Sequence, residues 1–284
     1  MNKWSNTLSG LIAASIFSFS VFAVSAETAI APQSVEKTVP STSNNEHMLM
    51  ATLWYQKSGE MQALYYQAYN LGKMVVDDAL KQKRNSHSRK KLAIVLDIDE
   101  TILNNSPYEA YIIQKGVPNF TDWHKWVMQA QAEALPGAVE FLTYVDSKGI
   151  DIFYVSNRDE NEVKATIKNL KEKGFPQATA DHMLFRAKEN SKEPRRQKIQ
   201  QTHEIVALFG DNLSDFTKEF DQKPLEERNA NVDRFREEFG RKFIVLPNPM
   251  YGDWENAIYG YDLDQTFAEK AKVRKQALNA YPLK

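Results

Sequence analysis

Three acids crowd into four positions, Asp97, Asp99 and Glu100, where the apolar run 92–96 of "KKLAIVLDIDETIL" ends. Each carboxylate raises the cost of ionising its neighbours, so the cluster needs compensation from elsewhere. Groups of this kind can ligate an oxygen-seeking cation, attack an electrophile or carry a proton. Two later apolar runs also deliver polar groups at their carboxyl ends, Ser156-Asn157-Arg158 and Gly210-Asp211-Asn212. Three such endings along one chain point to a single site.

The elements that must hold these groups follow from periodicity. Short apolar runs at 92–96, 151–157, 182–185, 204–211 and 242–248 read as strands. Helical spacing near 137–147, 160–173, 194–202 and 224–239 fills the gaps between the later runs. The alternation predicts an α/β fold built on a doubly wound, mostly parallel sheet, with chemistry beyond the carboxyl ends of its strands. Leu49, Leu53, Met61, Leu64, Tyr65, Ala68, Leu71, Val75 and Leu80 recur at helical spacing and predict one or two helices packed on the main body.

D-x-D-x-T by itself is not the signal, because the string returns at Asp262-Leu263-Asp264-Gln265-Thr266. That copy follows no apolar strand, and its Asp264 reads as a helix N-cap or first-turn acid. Glu100 reads as a turn residue.

The amino-terminus departs from globular patterning. Lys3, an uncharged apolar middle and Val24-Ser25-Ala26 predict a secretory signal peptide over residues 1–26. Residues 27–46 are rich in Pro, Ser, Thr and Asn and read as a flexible linker before a domain spanning 47–284. The chain has no cysteine, hence no disulfide and no lipidation site behind the signal. The expectation is an exported, periplasmic or secreted protein with no stable membrane anchor. A net charge of −1 gives no basic surplus for a nucleic-acid polymer.

"VLDIDETILNNSPYEAY", "PGAVEFLTYV", "FYVSNR", "GDNLSDF" and "LPNPMYGDWE" together resemble the class C bacterial acid phosphatases of the haloacid dehalogenase superfamily, over about residues 48–275. The resemblance implies that superfamily's Rossmann-like core. It also implies a small helical cap, formed by helices within 47–84 and an insertion at 104–135. It implies Asp97 as the nucleophile that forms an aspartyl-phosphate, and Asp99 as the acid that protonates the leaving group and then activates water. Mg²⁺ would be held by Asp97, the backbone carbonyl of Asp99 and Asp211, with Asp215 as a companion acid.

Ser156 matches the hydroxyl position that clamps the phosphoryl group. Family spacing favours Lys192 as the phosphate lysine, with Lys188 next. Aromatic residues matching Trp123 and Tyr251 contact a nucleobase in the family, while Trp126 and Trp254 read as packing residues. Asn157 and Arg158 could orient nearby acids.

The five histidines show no metal-ligand spacing, and neither an R-H-G-x-R-x-P loop nor a G-x-x-x-x-G-K-[ST] loop is present. The reading is a Mg²⁺-dependent phosphomonoesterase acting on nucleoside 5′-monophosphates and other small phosphate esters, possible as a homodimer. A phosphotransferase that passes phosphate to nucleosides, and a non-catalytic ligand-binding protein on the same fold, are the alternatives.

Overall fold

The computed structural model describes residues 44–85 and 87–282. The signal peptide expected over 1–26 lies outside the described residues. So does the linker expected over 27–46, apart from residues 44–46. There Asn44 and Asn45 donate their side-chain N–H groups to the carbonyls of Gly116 and Val117, at 2.9 and 2.6 Å.

Two helices open the fold, α1 (Leu49–Lys57) and α2 (Gly59–Arg84). Ser58 separates them in an extended conformation, and its hydroxyl accepts the Met61 N–H at 3.1 Å to cap α2. Then come β1 (Lys91–Leu96), β2 (Leu103–Asn104), α3 (Ser106–Lys115), α4 (Trp123–Gln129), β3 (Glu133–Ala134), α5 (Ala138–Ser147) and β4 (Asp151–Asp159). The chain continues through α6 (Val163–Glu172), β5 (Met183–Arg186), α7 (Glu193–Gln200), β6 (His203–Gly210), α8 (Leu225–Arg234), β7 (Phe243–Val245), α9 (Asp253–Ile258) and α10 (Phe267–Gln276).

Five strands form one sheet in the order β5-β4-β1-β6-β7, and every neighbouring pair is parallel. β1 is central, with the chain winding outward on both sides, so a crevice opens beyond its carboxyl end. Leu96 pairs with Tyr154 on one side and Phe209 on the other. Leu96, Tyr154 and Phe209 therefore lie level, and the polar residues that follow each of them in sequence meet in space. β2 and β3 pair antiparallel and close off the insertion that carries α3 and α4.

Alternation along β1 explains why its run is continuously apolar. Leu92, Ile94 and Leu96 enter the core on one face, with Phe141 and Leu142 of α5, Leu170 of α6 and Tyr65 and Tyr69 of α2. Ala93 and Val95 enter a second core with Ile199 of α7, Phe216 and Phe243. Helix α1 meets α3 of the insertion, whereas α2 packs against α5, β6 and β7 and so joins the layer covering the sheet.

Sequence expectations differ mainly at edges. The strand expected over 242–248 stops at Val245, just before Pro247 and Pro249, which have no N–H to give a ladder. The helix expected over 224–239 ends at Arg234. At the second D-x-D-x-T the N-cap of α10 is Thr266, in a capping box with Glu269, and not Asp264 as the sequence suggested.

Candidate active site

The turn after β1 is shaped by backbone hydrogen bonds. Asp97 donates its N–H to Phe209 O at 3.0 Å, while Ile98 O accepts from Ile102 at 3.0 Å and from Leu103 at 2.9 Å. Glu100 takes φ of 53°, a left-handed conformation costly for a residue with a Cβ. Tyrosines of the amino-terminal helices brace this strained turn from below. The Tyr65 hydroxyl donates to Glu100 O and pairs with the Tyr55 hydroxyl, and Tyr69 Oη donates to Thr101 O at 2.5 Å.

Glu100 is more than the turn residue the sequence suggested. It is fully buried, accepting the Asn105 N–H at 2.7 Å and the Tyr251 hydroxyl on its carboxylate. Burial, then the charge of Asp99, pushes its carboxyl well above the ordinary range. A single glutamate thereby ties the β1 turn, α3 and the loop after β7 together.

Beside this turn stands a buried charge cluster. Lys192 Nζ donates to Asp97 Oδ1 and to Asp215 Oδ1, the latter at 2.5 Å. Carboxylate oxygens of Asp97, Asp211 and Asp215 lie within 4.8 Å of one another. Asp211 Oδ2 accepts from Asn248 Nδ2 at 2.8 Å, and Asp215 Oδ2 accepts the Asn212 N–H at 3.0 Å. Gly210 is required here, because a Cβ at that position would collide with the Asp215 carboxylate.

One ammonium does not balance three carboxylates. Asp97 is pushed up to about 7 by burial, with Lys192 pulling down and Asp215 and Asp99 pushing up. Asp211 is raised well above its usual range by burial and then by Asp215 and Asp97. Burial lowers the Lys192 ammonium, but Asp215 and Asp97 outweigh it and hold the group above its ordinary value. Converging oxygen donors with surplus negative charge fit a hard divalent cation, which takes carboxylate and water ligands.

Asp99 faces a different set of partners. Its Oδ1 accepts from Arg158 Nη2 at 2.7 Å, from Asn105 Nδ2 at 2.8 Å and from Arg158 Nε at 3.0 Å. Oδ2 has longer contacts, with Arg158 Nε at 3.2 Å and Ser156 Oγ at 3.5 Å. Ser156 also accepts the Arg158 N–H at 3.1 Å, so its hydroxyl is directed at the Asp99–Arg158 pair. The carboxylate of Asp99 is thus separate from the cluster around Lys192.

A cavity of about 290 Å³ opens over both groups, lined by Asp97, Asp99, Lys192, Asp211 and Asp215 together with the aromatic Tyr108, Trp123 and Tyr251. Trp123 stands edge-on to Tyr108, with centroids 5.0 Å apart, and the Arg158 guanidinium lies 5.8 Å from the Trp123 ring centroid. Trp126, expected to pack, also donates Nε1–H to Asn105 Oδ1 at 2.8 Å. Trp254, likewise expected to pack, is 41% exposed. Lys188 is exposed, so Lys192 is the lysine at the carboxylates.

Several residues of the site carried no sequence signal. Arg195 Nη1 donates to Ser156 O at 2.6 Å, and its Nη2 donates to Asn157 Oδ1 at 2.6 Å. Arg196 Nη1 donates to Asp215 O at 2.8 Å. Helix α7 therefore presents Lys192 at its N-cap and, from its first turn, clamps the carboxyl-terminal part of β4 and the loop after β6.

The sequence matches the family described as HAD superfamily, subfamily IIIB (Acid phosphatase) over residues 14–254. The fold is similar to the class C acid phosphatase from Bacillus anthracis, with a TM-score of 0.81 and 50% identity, covering 84% of this chain and 100% of that one. A crystal structure of class C acid phosphatase from Bacillus anthracis with tungstate bound gives a TM-score of 0.80 and 51% identity over 84% of this chain and 99% of that one. The chain belongs to the HAD subfamily IIIB acid phosphatases, and it is a phosphomonoesterase.

Proposed function

We propose that this phosphatase hydrolyses nucleoside 5′-monophosphates with Mg²⁺ as cofactor, through a phosphoryl group carried on Asp97. The observation that supports it most is the Lys192 bridge between Asp97 and Asp215, with Asp211 in the same cluster. Tungstate, a tetrahedral oxyanion like phosphate, bound to a neighbour of the same fold is in keeping with an oxyanion site.

Asp97 Oδ attacks phosphorus as the bond from phosphorus to the ester oxygen breaks, and the leaving oxygen takes a proton from Asp99. Water then attacks phosphorus, giving its proton back to Asp99, and the bond to Asp97 breaks to release phosphate. Oδ2 of Asp99, the oxygen with the longer contacts, would carry that proton, while Arg158 holds the carboxylate chiefly through Oδ1. Lys192 positions Asp97 and offers positive charge to a phosphoryl oxygen. Mg²⁺, held by Asp97, Asp211, the Asp99 carbonyl and the companion acid Asp215, would supply charge compensation between carboxylates and phosphate. Ser156, seated behind Asp99, would contribute its hydroxyl to the phosphoryl clamp.

Trp123 and Tyr251 in the cavity lining are where a base would stack, since every base has a π-face. Among the described residues no helix is long and apolar enough to cross a membrane. With the 1–26 segment, the protein is read as exported; a mature chain beginning beyond Ala26 on amino-terminal sequencing would support this.

Phosphate release from AMP with Mg²⁺ tests the reading. Release that stops with chelator and returns with Mg²⁺ supports it. No release, or release indifferent to complete metal removal, overturns it.

A further inference from the structure

Glu109 is the buried carboxyl of this site that the chemistry leaves unused. It lies on α3, is 5% exposed and lines the cavity with Tyr108, Trp123 and Tyr251. The acids of the catalytic cluster, and Glu255 beside it, are engaged. Asp97 and Asp215 receive Lys192, Asp99 receives Arg158, and Asp211 receives Asn248. Glu255 receives His47 Nε2 at 3.0 Å and the Tyr259 hydroxyl at 2.5 Å.

The Glu109 side chain has no hydrogen bond or ion pair with any described residue. An unpartnered carboxyl at such a site is costly unless a ligand satisfies it.

The kind of ligand follows from its surroundings. Burial, then the carboxylates of Asp99 and Glu255, pushes Glu109 up to about 8. In acidic solution it is a neutral acid, with one O–H to donate and one carbonyl oxygen to accept. A hydroxyl group has the same pair of capacities. Glu109 stands one helical turn beyond Asn105, whose amide bonds Asp99. A partner would therefore sit only a few bonds from the ester oxygen that Asp99 protonates.

We propose that Glu109 selects the leaving group by hydrogen-bonding a hydroxyl carried a few carbons from the ester oxygen, so that polyhydroxy alcohols are preferred over otherwise matched alcohols. Two sources offer this chemistry, the ribose of a nucleotide and the free hydroxyls of glycerol or a sugar. The ribose source rests on the nucleotide reading above; the glycerol source does not.

The test compares kcat/KM within two matched pairs, AMP against 2′,3′-dideoxy-AMP and glycerol 3-phosphate against propyl phosphate. The wild type is expected to favour the hydroxylated member by about tenfold in at least one pair, a typical effect of one good hydrogen bond to a buried group. Glu109→Leu should bring that ratio to about one. Glu109→Gln, which keeps a donor and an acceptor, should retain most of it, and serves if the leucine variant does not fold. A wild-type ratio near one in both pairs, or a ratio unchanged in Glu109→Leu, overturns the proposal. Failure of AMP to turn over, with the glycerol pair behaving as stated, removes the nucleotide reading and leaves Glu109 in place.

Discussion

Arg158 grips Asp99 side-on, with Nη2 at 2.7 Å and Nε at 3.0 Å from the same carboxylate oxygen. Its other amine, Nη1, donates to Thr166 Oγ1 at 2.9 Å, and the guanidinium is almost fully buried. Arginine presents a rigid fork of donors, and lysine a single mobile point of charge. Arg158→Lys should therefore leave the site charged but Asp99 badly aimed. Steady-state kinetics should show kcat reduced about tenfold or more, with KM changed less. An unchanged kcat would mean that Asp99 needs no such positioning.

The carboxylate cluster makes stability depend on pH and metal. Asp97 rises from its ordinary 3.8 to about 7 in the metal-free fold. Between those values the folded state binds more protons than the unfolded one, so stability falls as pH rises through that window. Melting of metal-free protein from pH 4.5 to 7.5 should show Tm declining, with a shallower decline in Asp97→Asn. Added Mg²⁺ should raise Tm most at the upper end, where ligands are deprotonated. A metal response that is greatest at pH 4.5 would contradict this.

Tyr65→Phe removes the hydroxyl that joins Tyr55 to the carbonyl of Glu100. Two buried partners then go unsatisfied, and chemical denaturation should report a loss of about 1–3 kcal/mol. A loss below about half a kcal/mol would show that the left-handed Glu100 holds without this brace.

Trp123→Ala tests the aromatic lining of the cavity. For AMP, kcat/KM should drop about tenfold, since stacking on one ring is worth roughly 1–3 kcal/mol. For methyl phosphate, which has no base, the drop should be much smaller. Equal losses for both substrates would place the role of Trp123 in packing against Tyr108.

The site was legible in sequence wherever a strand announced it. Asp97, Asp99, Ser156 and Asp211 stand at the carboxyl ends of apolar runs, and the level pairing of Leu96 with Tyr154 and Phe209 brings those positions together. Lys192 rested on family spacing among several lysines, because a charged helix start looks the same whether it faces water or carboxylates. The structure buries it at the N-cap of α7, against Asp97 and Asp215. Arg195, Arg196 and the tyrosines of α1 and α2 were invisible as site residues. Their role depends on which loop lies opposite, and that is fixed by tertiary packing. Glu100 misled for a related reason, since its partners Asn105 and Tyr251 stand 5 and 151 positions away.

Asp97 as the phosphoryl carrier is the central claim, and acid-quenched protein taken during turnover tests it most directly. Peptide mass spectrometry should find a phosphoryl group on Asp97 in the peptide spanning 91–103, absent from Asp97→Asn. A phosphoryl group on another residue, or turnover persisting undiminished in Asp97→Asn, would contradict the account.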